Sequence, residues 1–537
     1  MSAVQSTEKT LGRARQAAKA KDWIAACGLY QNVLDRFPAN KKARQGLASL
    51  RAAVPELLKA AQAAQQGGEW ATAERTLSAA AALAPELPEV GLALAACRLE
   101  TGNAPAALRA AEAVLAQAPD HAEALNARGR ALREMGRGAE AEASFHAALG
   151  DPETEARTLN NLGVLARARG DRAGAAAYYR RALDLTPGDA TLHRNLSHTV
   201  TYTEGDPDTG AHLAQMRERL AVLGAETPAA APLHFALFKA LDDLDRREEA
   251  FGHLALGNRL TKAAQGYEFK SDALPYALSK ALFKTPLPAP DGAEGADLRP
   301  IFVTGLPRTG TTLTERILAQ AGGVQPCGEL TVVQRATGGL LREIMGRADK
   351  ALSQADIAAL GAQIRAGLAE YSDGSAVLVD KMPLNFRWIG FICAALPEAR
   401  IVHLSRDPMA VGWSVYRHAF GGAGNGFAYD PADIARFMVM HRDLMAHWRQ
   451  VCPGRIFDLD YAELVRDPEP ATRALAEFAG LEWSEDWLAP ERGKGQVLTA
   501  SADQVRRPIY RGSDDGWRRY EAQLAPLRSA LSAAGVI

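Results

Sequence analysis

The sequence predicts a chain in two parts, a helical solenoid followed by an α/β domain built on a mostly parallel sheet. Two observations carry this prediction. Glycine, alanine and proline recur with a 34-residue period over roughly the first 190 of the 537 residues. From residue 299 onward a strand, a glycine-bounded loop and a helix follow one another, and short hydrophobic runs then alternate with helical stretches.

Three residue types keep one phase in the repeated part. They are glycines, alanines five positions later, and prolines: Gly68, Gly102, Gly136 and Gly170; Ala73, Ala107, Ala141 and Ala175; Pro85, Pro119 and Pro187. An earlier unit fits Trp23, Ala26 and Pro38, which stand 47 residues before their counterparts, so 13 residues are inserted beyond the period. Glycine at a turn, a small residue where helices cross and proline ending the second helix resemble tetratricopeptide repeats.

Stacked helical hairpins of this kind form a superhelix with an extended concave surface. The resemblance implies that the array binds a protein or peptide, and the alternative is that it only stabilises or oligomerises the chain. We expect the array over residues 1–195, a degenerate repeat with capping helices over 196–283, a linker rich in proline and glycine over 284–298, and the second domain over 299–537.

The second domain begins with the stretch RPIFVTGLPRTGTTLTERIL. A β-branched strand leads into a loop bounded by Gly305 and Gly310, and a helix begins at Thr311. Two glycines at this spacing let backbone N–H groups converge on an anion, as in a P-loop. An ordinary glycine turn between a strand and a helix would show the same spacing. A P-loop would place Lys at position 311, and the cation of this loop is instead Arg308, which suits a bidentate grip on a phosphate or sulfate group.

Three later hydrophobic runs, at 376–379, 400–404 and 455–459, predict further parallel strands. Charged residues follow their carboxyl ends at Lys381, Arg406 and Asp460, where ligands bind in such sheets, although Asp380 and Asp460 could equally cap the next helix. Ser414 lies about two turns into the helix after Arg406. Arg406 and Ser414 could therefore hold a second phosphate.

Together the loop, the strand-end arginine and the helix serine resemble the cofactor motifs of sulfotransferases that use 3′-phosphoadenosine 5′-phosphosulfate. The nearest branch is that of the tyrosylprotein sulfotransferases and the bacterial sulfotransferases linked to tetratricopeptide repeats. The resemblance implies that the 5′-phosphosulfate is bound by Arg308, Thr309, Gly310, Thr311 and Thr312. It implies that Arg406 and Ser414 bind the 3′-phosphate.

The same resemblance implies the catalytic residues. Glu329, 21 residues beyond the loop arginine, matches the family's base, although an exposed helix-cap carboxylate would look the same. Lys381 matches the lysine that supports the transferring group, and Ser501 matches a serine near the leaving group. Because Met382 rather than a histidine follows Lys381 closely, the glutamate mechanism is favoured over that of the cytosolic small-molecule enzymes.

Further cofactor contacts are implied by the C-terminal segment. Tyr461 matches a tyrosine of the family, and Arg511 and Gly512 fall at the spacing of the element that meets the 3′-phosphate. One position departs from the pattern. Four residues beyond Ser414 the branch has a second arginine, whereas this chain has His418 with Arg417 beside it.

The expected fold class is therefore α + α/β, a tetratricopeptide solenoid followed by a P-loop-like sulfotransferase domain. The expected activity moves the sulfuryl group of 3′-phosphoadenosine 5′-phosphosulfate to an acceptor hydroxyl, on a protein or peptide presented by the array. The alternatives are a P-loop kinase or NTPase, with 377–380 as a Walker B strand, and a repeat scaffold carrying an inactive nucleotide fold. The acceptor, whether tyrosine, sugar or small molecule, is left open.

Composition narrows the partners and the location. Lys and Arg total 62 against 63 for Asp and Glu, so no global charge draws the chain to nucleic acid or to an anionic membrane. Five scattered cysteines form no metal-ligand spacing and suggest a reducing compartment. No signal sequence or long apolar run is present, so we expect a cytoplasmic protein. We also expect that the protein needs no metal.

Overall fold

A computed structural model describes residues 2–288, 298–421, 424–493, 505–509, 512 and 514–537. The chain forms two compact units, Met1–Asn161 and Leu162–Ile537. Within the described residues, none of the helices combines the length and the hydrophobicity needed to cross a bilayer.

The first unit consists of helices paired into antiparallel hairpins. They are α1 (Ser2–Lys19), α2 (Trp23–Arg36), α3 (Lys41–Leu50), α4 (Val54–Gln66), α5 (Trp70–Leu83), α6 (Pro88–Glu100), α7 (Ala104–Leu115), α8 (Ala122–Glu134), α9 (Gly138–Ala147) and the first half of α10 (Glu155–Arg169). The inserted residues predicted between the first two hairpins form α3.

Glycine and alanine occupy the structural positions that the repeat predicted. The turn glycines of this unit have left-handed φ angles of 73°, 71° and 76° at Gly68, Gly102 and Gly136. The alanines where the paired helices cross are fully buried at Ala73, Ala107 and Ala141. A left-handed turn favours glycine and a close helix crossing favours alanine, which explains why these two residue types recur.

The second unit continues the helical pairs before its sheet begins. Its hairpin helices are the rest of α10, α11 (Arg172–Leu185), α12 (Ala190–Ser197), α13 (Pro207–Leu223), α14 (Ala231–Asp243), α15 (Arg247–Gln265) and α16 (Lys270–Leu282). The hairpin α12–α13 was not predicted, because Gly205 and Gly210 stand where the pattern has glycine and alanine and the spacing from Gly170 is no longer 34. In α14–α15 the left-handed turn residue is Asp245, with φ 56°.

Five parallel strands form the sheet of the second unit. They are β1 (Arg299–Gly305), β2 (Val324–Pro326), β3 (Val377–Asp380), β4 (Arg400–Ser405) and β5 (Ile456–Asp460), in the order β2-β3-β1-β4-β5. The registers pair Phe302 with Asp380 and Gly305 with Leu404. The carboxyl ends of β3, β1 and β4 therefore lie side by side. Four of the five strands were predicted, and β2 was missed.

Helices surround this sheet. They are α17 (Thr311–Leu318), α18 (Val332–Gly346), α19 (Gln354–Ala369), α20 (Ile389–Ala395), α21 (Pro408–Tyr416), α22 (Pro431–Val451), α23 (Tyr461–Arg466), α24 (Pro468–Ala479) and α25 (Ala525–Ala533). Short 3₁₀ turns occur at Arg51–Ala53, Pro228–Ala230, Pro383–Trp388, Gly426–Tyr429, Glu485–Leu488, Pro490–Arg492 and Gly516–Tyr520.

Helices α14 and α15 pack on the α/β part of the same unit. Asp242 accepts hydrogen bonds from the Tyr520 hydroxyl at 2.8 Å and from Arg417 at 3.1 Å, and Asn258 donates to the Tyr416 carbonyl at 2.9 Å. The predicted boundaries at 195, 283 and 298 stay predictions. Of the predicted linker, residues 289–297 lie outside the described part of the chain.

Candidate active site at the carboxyl edge of the sheet

The loop after β1 has a backbone that only glycine tolerates at its two ends. Gly305 has φ 151°, and a Cβ there would lie 2.7 Å from the Leu404 carbonyl oxygen. Gly310 has φ 103°, and its Cβ would lie 2.5 Å from the Tyr461 ring. Gly310 is the residue immediately before α17. Because it has no side chain, it cannot cap the N–H groups of the first helical turn. The loop is thus shaped as an anion cradle.

Threonines line the cradle and its helix. Thr309, Thr311 and Thr312 are buried, and the Thr309 hydroxyl donates to the Leu306 carbonyl at 2.7 Å, inside the loop. Arg308 itself adopts a left-handed φ of 73°, which is uncommon for a residue with a side chain. The left-handed conformation of Arg308 is part of the tight turn of the loop between Gly305 and Gly310.

Four residues that the sequence singled out meet beside the loop, and we call them the arginine side: Arg308, Arg406, Ser414 and Tyr461. The Arg308 Nε donates to the Ser414 hydroxyl at 3.0 Å, and the Arg406 Nη1 donates to the Arg308 carbonyl at 2.8 Å. The Arg406 guanidinium lies 4.4 Å from the centre of the Tyr461 ring. Two guanidinium groups are therefore fixed next to the cradle.

One carboxylate was missed on this side. Asp514 accepts a hydrogen bond from the Arg406 Nε at 2.6 Å and is part-exposed. Since it is 108 residues from Arg406 in the chain, no sequence pattern connects the two. Asp514 holds Arg406 through the kind of contact that an anionic ligand would make.

A second group, the lysine side, stands at the end of β3: Glu315, Glu329, Asp380 and Lys381. The Lys381 Nζ lies 2.6 Å from the Glu329 Oε1. The lysine side chain is 0% exposed, whereas that of the glutamate is 46% exposed. The ion pair therefore has a buried cation and a carboxylate that an incoming molecule can reach.

Buried carboxylates hold the backbone on both sides of Glu329. The Glu315 Oε1 accepts from the Gly328 N–H at 2.7 Å, and the Asp380 Oδ1 accepts from the Leu330 N–H at 3.3 Å. Burial raises the pKa of Glu315, and it raises the pKa of Asp380 to about 8. Glu315 was not predicted, because its hydrogen bond to Gly328 depends on the approach of α17 to the segment after β2.

The alternative roles of three carboxylates can be tested against these positions. Glu329 is not a helix cap, since the residue at the start of α18 is Thr331. Asp460 does cap α23, accepting from the Glu463 N–H at 3.1 Å. Asp380 caps no helix; it is fully buried and also accepts from the Asn385 amide at 3.0 Å. A buried, hydrogen-bonded carboxyl group with a raised pKa fits poorly to the Walker B role that binds magnesium.

Known proteins resemble both parts of the chain. Residues 300–485 match the profile described as "Sulfotransferase family", and residues 92–156 and 126–190 match "Tetratricopeptide repeat". Residues 300–485 therefore form a sulfotransferase-family domain. The helical part contains tetratricopeptide repeats.

Individual relatives extend this similarity. A protein of Aquifex aeolicus (strain VF5) named "Uncharacterized protein" is 34% identical over 310 residues, covering 55% of this chain and 41% of its own length. "Protein-tyrosine sulfotransferase 2" of Gallus gallus is 24% identical over 245 residues, covering 40% of this chain and 62% of its own. The chain thus spans less than two thirds of either relative.

Among solved structures, the "Sulfotransferase Domain from the Synechococcus PCC 7002 Olefin Synthase" has 22% identity and a TM-score of 0.32. The aligned region covers 47% of this chain and 98% of the chain in that structure.

Two residues near the departure from the family pattern have different surroundings in the sulfotransferase-family domain. Arg417 pairs with Asp242 and lies over the Phe238 and Trp413 rings. Burial lowers the pKa of His418 to about 3, and the positive charge of Arg308 contributes to this lowering.

The remaining residues have separate outcomes. Ser501 and Arg511 lie outside the described residues, while Gly512 is described, with φ 100°. His403, the histidine of β4, is buried with one ring nitrogen 2.7 Å from the Asp458 carboxylate and the other 3.0 Å from His441. In the described part of the chain, no three His, Cys, Asp or Glu side chains are grouped to hold a metal ion.

Proposed function

We propose that the sulfotransferase-family domain transfers the sulfuryl group of 3′-phosphoadenosine 5′-phosphosulfate to an acceptor hydroxyl. The observation that supports this most is the pairing of two groups on neighbouring strand ends. Guanidinium groups stand beside an anion cradle on one side of β1, and an ion pair with a reachable carboxylate stands on the other. An anionic donor and a hydroxyl acceptor need these two kinds of group next to each other.

The residues present fit such a donor. The cradle from Gly305 to Gly310 admits no Cβ at its ends, so the backbone is kept open for a ligand of high charge. Arg308 would hold the 5′-phosphosulfate with Thr309 to Thr312. Arg406 and Ser414 would hold the 3′-phosphate. Tyr461, whose ring lies against the Arg406 guanidinium, would also contact the cofactor.

The chemistry asks for few covalent roles from the protein. When bound, the donor supplies an activated sulfuryl group and departs as a bisphosphate. Glu329 pairs with Lys381 and is exposed, so its carboxylate would be able to take the proton of the acceptor hydroxyl. Lys381 brings a buried positive charge to the same point, where negative charge develops during group transfer. Ser501 would act near the leaving group, and Arg511 and Gly512 would contact the cofactor.

A kinase or NTPase is the weaker proposal. Thr311 occupies the position of the Walker lysine, and Asp380 is engaged in the core rather than free for magnesium. A non-enzymatic scaffold does not account for Glu329 and Lys381, since a buried lysine paired with an exposed glutamate contributes little to stability.

The repeat array is proposed to present the acceptor. Tetratricopeptide arrays offer a concave surface of the kind that binds peptide segments, and an acceptor hydroxyl on a protein or peptide would suit a domain with this extension. We propose a protein or peptide acceptor and no nucleic acid or membrane partner. The proposed location is the cytoplasm.

Transfer of labelled sulfate tests the proposal. The full chain is incubated with sulfur-labelled 3′-phosphoadenosine 5′-phosphosulfate and a host lysate, and the label is followed into protein, carbohydrate and small-molecule fractions. Label in the protein fraction that depends on Glu329 supports the proposal. Label confined to small molecules would contradict the presentation role of the array, and no transfer with wild-type chain that binds the donor would contradict the enzymatic assignment.

A further inference from the structure

A buried carboxylate of the helical hairpins contacts two stretches of the α/β part in the same unit. Asp242 lies in the last turn of α14 and is buried. It accepts hydrogen bonds from the Tyr520 hydroxyl at 2.8 Å and from the Arg417 Nη2 at 3.1 Å, and the Arg519 Nη1 lies 3.5 Å away. The hairpin α14–α15 thus holds both the residue that follows α21 and the 3₁₀ turn near the C-terminus.

The carboxyl end of α21 makes further contacts with the same hairpin. The Asn258 side chain of α15 donates to the Tyr416 carbonyl, the last of α21, at 2.9 Å. The Phe238 ring of α14 lies edge-on to the Trp413 ring, with centres 6.2 Å apart. The Phe251 ring of α15 lies 6.2 Å from that of Tyr416. Hydrogen bonds and ring contacts from two repeat helices therefore fix this end of α21.

Helix α21 carries a side chain of the arginine side. Ser414 lies in its last turn and accepts a hydrogen bond from the Arg308 Nε at 3.0 Å. A serine hydroxyl that accepts from a guanidinium keeps its own proton for another acceptor, such as a phosphate oxygen. At its other end α21 follows β4, and Asp407 caps it by accepting from the Ala410 N–H at 2.8 Å. The position of Ser414 therefore depends on β4 at one end of the helix and on the repeat hairpin at the other.

We infer that Asp242 is a positioning residue of the donor site, which holds α21 through Arg417 so that the Ser414 hydroxyl can receive the 3′-phosphate. This inference rests on the proposed function. It makes the hairpin α14–α15 a part of the construction of the donor site, in addition to its place at the end of the repeated helices.

The ion pair between Asp242 and Arg417 is suited to this role. The Arg417 guanidinium also lies over two rings, 5.4 Å from the centre of Phe238 and 5.2 Å from that of Trp413. Removing one partner of a buried ion pair leaves the other charge without compensation, so the surrounding elements shift. Ligand-binding groups must be held within about 0.5 Å by the contacts that support them. A shift of α21 should therefore appear as weaker binding of the 3′-phosphate.

Two nucleotides that differ by one phosphate test the inference. Full-length chain is titrated calorimetrically with 3′-phosphoadenosine 5′-phosphate and with adenosine 5′-monophosphate. In Asp242→Asn, which keeps the shape of the side chain and removes its charge, we expect the preference for the bisphosphate to fall at least about fivefold. The matched control is Glu249→Gln, because this carboxylate of α15 pairs with Arg217 and Arg246 of the helical hairpins. It should leave the preference unchanged.

A double-mutant cycle separates positioning from a general loss of stability. If Asp242 acts through Ser414, the effect of Asp242→Asn on the nucleotide preference should largely disappear when Ser414→Ala is already present. A merely structural role would lower the midpoint of thermal unfolding and leave the nucleotide preference unchanged. An effect of Asp242→Asn that persists undiminished beside Ser414→Ala would overturn the positioning role.

A second variant carries the test if thermal unfolding shows that Asp242→Asn is not folded. Arg417→Gln removes the other half of the ion pair from a part-exposed position. The same fall in preference and the same coupling to Ser414→Ala are expected. An undiminished effect of Arg417→Gln in the Ser414→Ala chain would mean that Arg417 contacts the ligand itself, which would overturn the inference.

Failure of the inference and failure of the proposed function give different results. A wild-type chain with no preference for the bisphosphate over the monophosphate would contradict the proposed function. A wild-type preference that survives in folded Asp242→Asn, or in Arg417→Gln where that variant carries the test, would overturn the role of Asp242 and leave the proposed function standing.

Discussion

The arginine side and the lysine side of the site flank the same strand but treat charge in opposite ways. On the arginine side, Arg308 is held by a hydroxyl, and Arg406 by a carbonyl, an aromatic ring and one part-exposed carboxylate. On the lysine side, the single cation is buried among three carboxyl groups. Under the proposed function, the first side would bind the anionic donor and the second would receive the proton of the acceptor. The difference teaches that the proposal places binding and proton transfer on opposite neighbours of β1.

The largest effect should come from the residue that belongs to the loop itself. We expect Arg308→Ala to weaken binding of 3′-phosphoadenosine 5′-phosphate and to lower kcat/KM by about 10³-fold, because the guanidinium would contact the donor in both the ground and transition states. Calorimetry and the labelled-sulfate assay measure the two effects. Arg342→Ala, at an exposed position on α18, is the matched control. A loss in turnover alone would show that Arg308 does not bind the donor.

A smaller effect confined to turnover is expected from the lysine side. Glu329→Gln should lower kcat by about 10²-fold and leave the affinity for the bisphosphate nearly unchanged, since the amide cannot take the acceptor proton. Glu343→Gln, an exposed residue of α18, serves as the control. Near-normal turnover across a pH series would remove Glu329 as the base, and His418 would be tested next, because both ring nitrogens of His403 have partners.

The pH dependence of stability reports on the buried carboxyl group of the lysine side. The pKa of Asp380 rises from 3.8 to about 8 on folding, so the folded chain keeps a proton that the unfolded chain releases. Its contribution is therefore fully present below about pH 4 and is lost as pH rises to about 8, with a slope of at most about 1.4 kcal/mol per pH unit.

Asp380→Asn should flatten that decline, because the amide has no proton to lose. Urea unfolding at several pH values measures it, with the exposed Asp443→Asn as the control. Glu315, whose pKa is also raised by burial, stays in place, so a part of the wild-type slope should remain. Parallel stability curves for Asp380→Asn and wild type would show that Asp380 is ionised in the folded chain at neutral pH.

The smallest change should come from the carboxylate of the arginine side. Asp514→Asn should tighten binding of the bisphosphate about threefold to tenfold, because a carboxylate on Arg406 competes with the ligand and repels it. The adjacent and exposed Asp515→Asn, which pairs with Arg518, should have no such effect. Weaker binding in Asp514→Asn would mean that the carboxylate positions Arg406 for the ligand.

Local patterns in the sequence predicted the features that depend on neighbouring residues. The turn glycines, the crossing alanines and the loop between β1 and α17 have conformations that restrict the residue types, and so they are visible as spacing. Strand β2 was missed because its three residues, Val324–Pro326, are not buried and end in proline.

Features that depend on long-range approach could not be predicted in this way. Glu315 meets Gly328 only through the packing of α17, and Asp514 reaches Arg406 across 108 positions of sequence. The charge balance of the site was therefore the part that needed the structure.

Calorimetric titration of the full chain with 3′-phosphoadenosine 5′-phosphate and with Mg-ATP tests the central claim most directly. The loop lacks the Walker lysine at Thr311, and Arg406 with Ser414 offers a second phosphate position, so the bisphosphate should bind at least about 10²-fold more tightly than Mg-ATP. Tighter binding of Mg-ATP would contradict the sulfotransferase proposal and favour a kinase or NTPase.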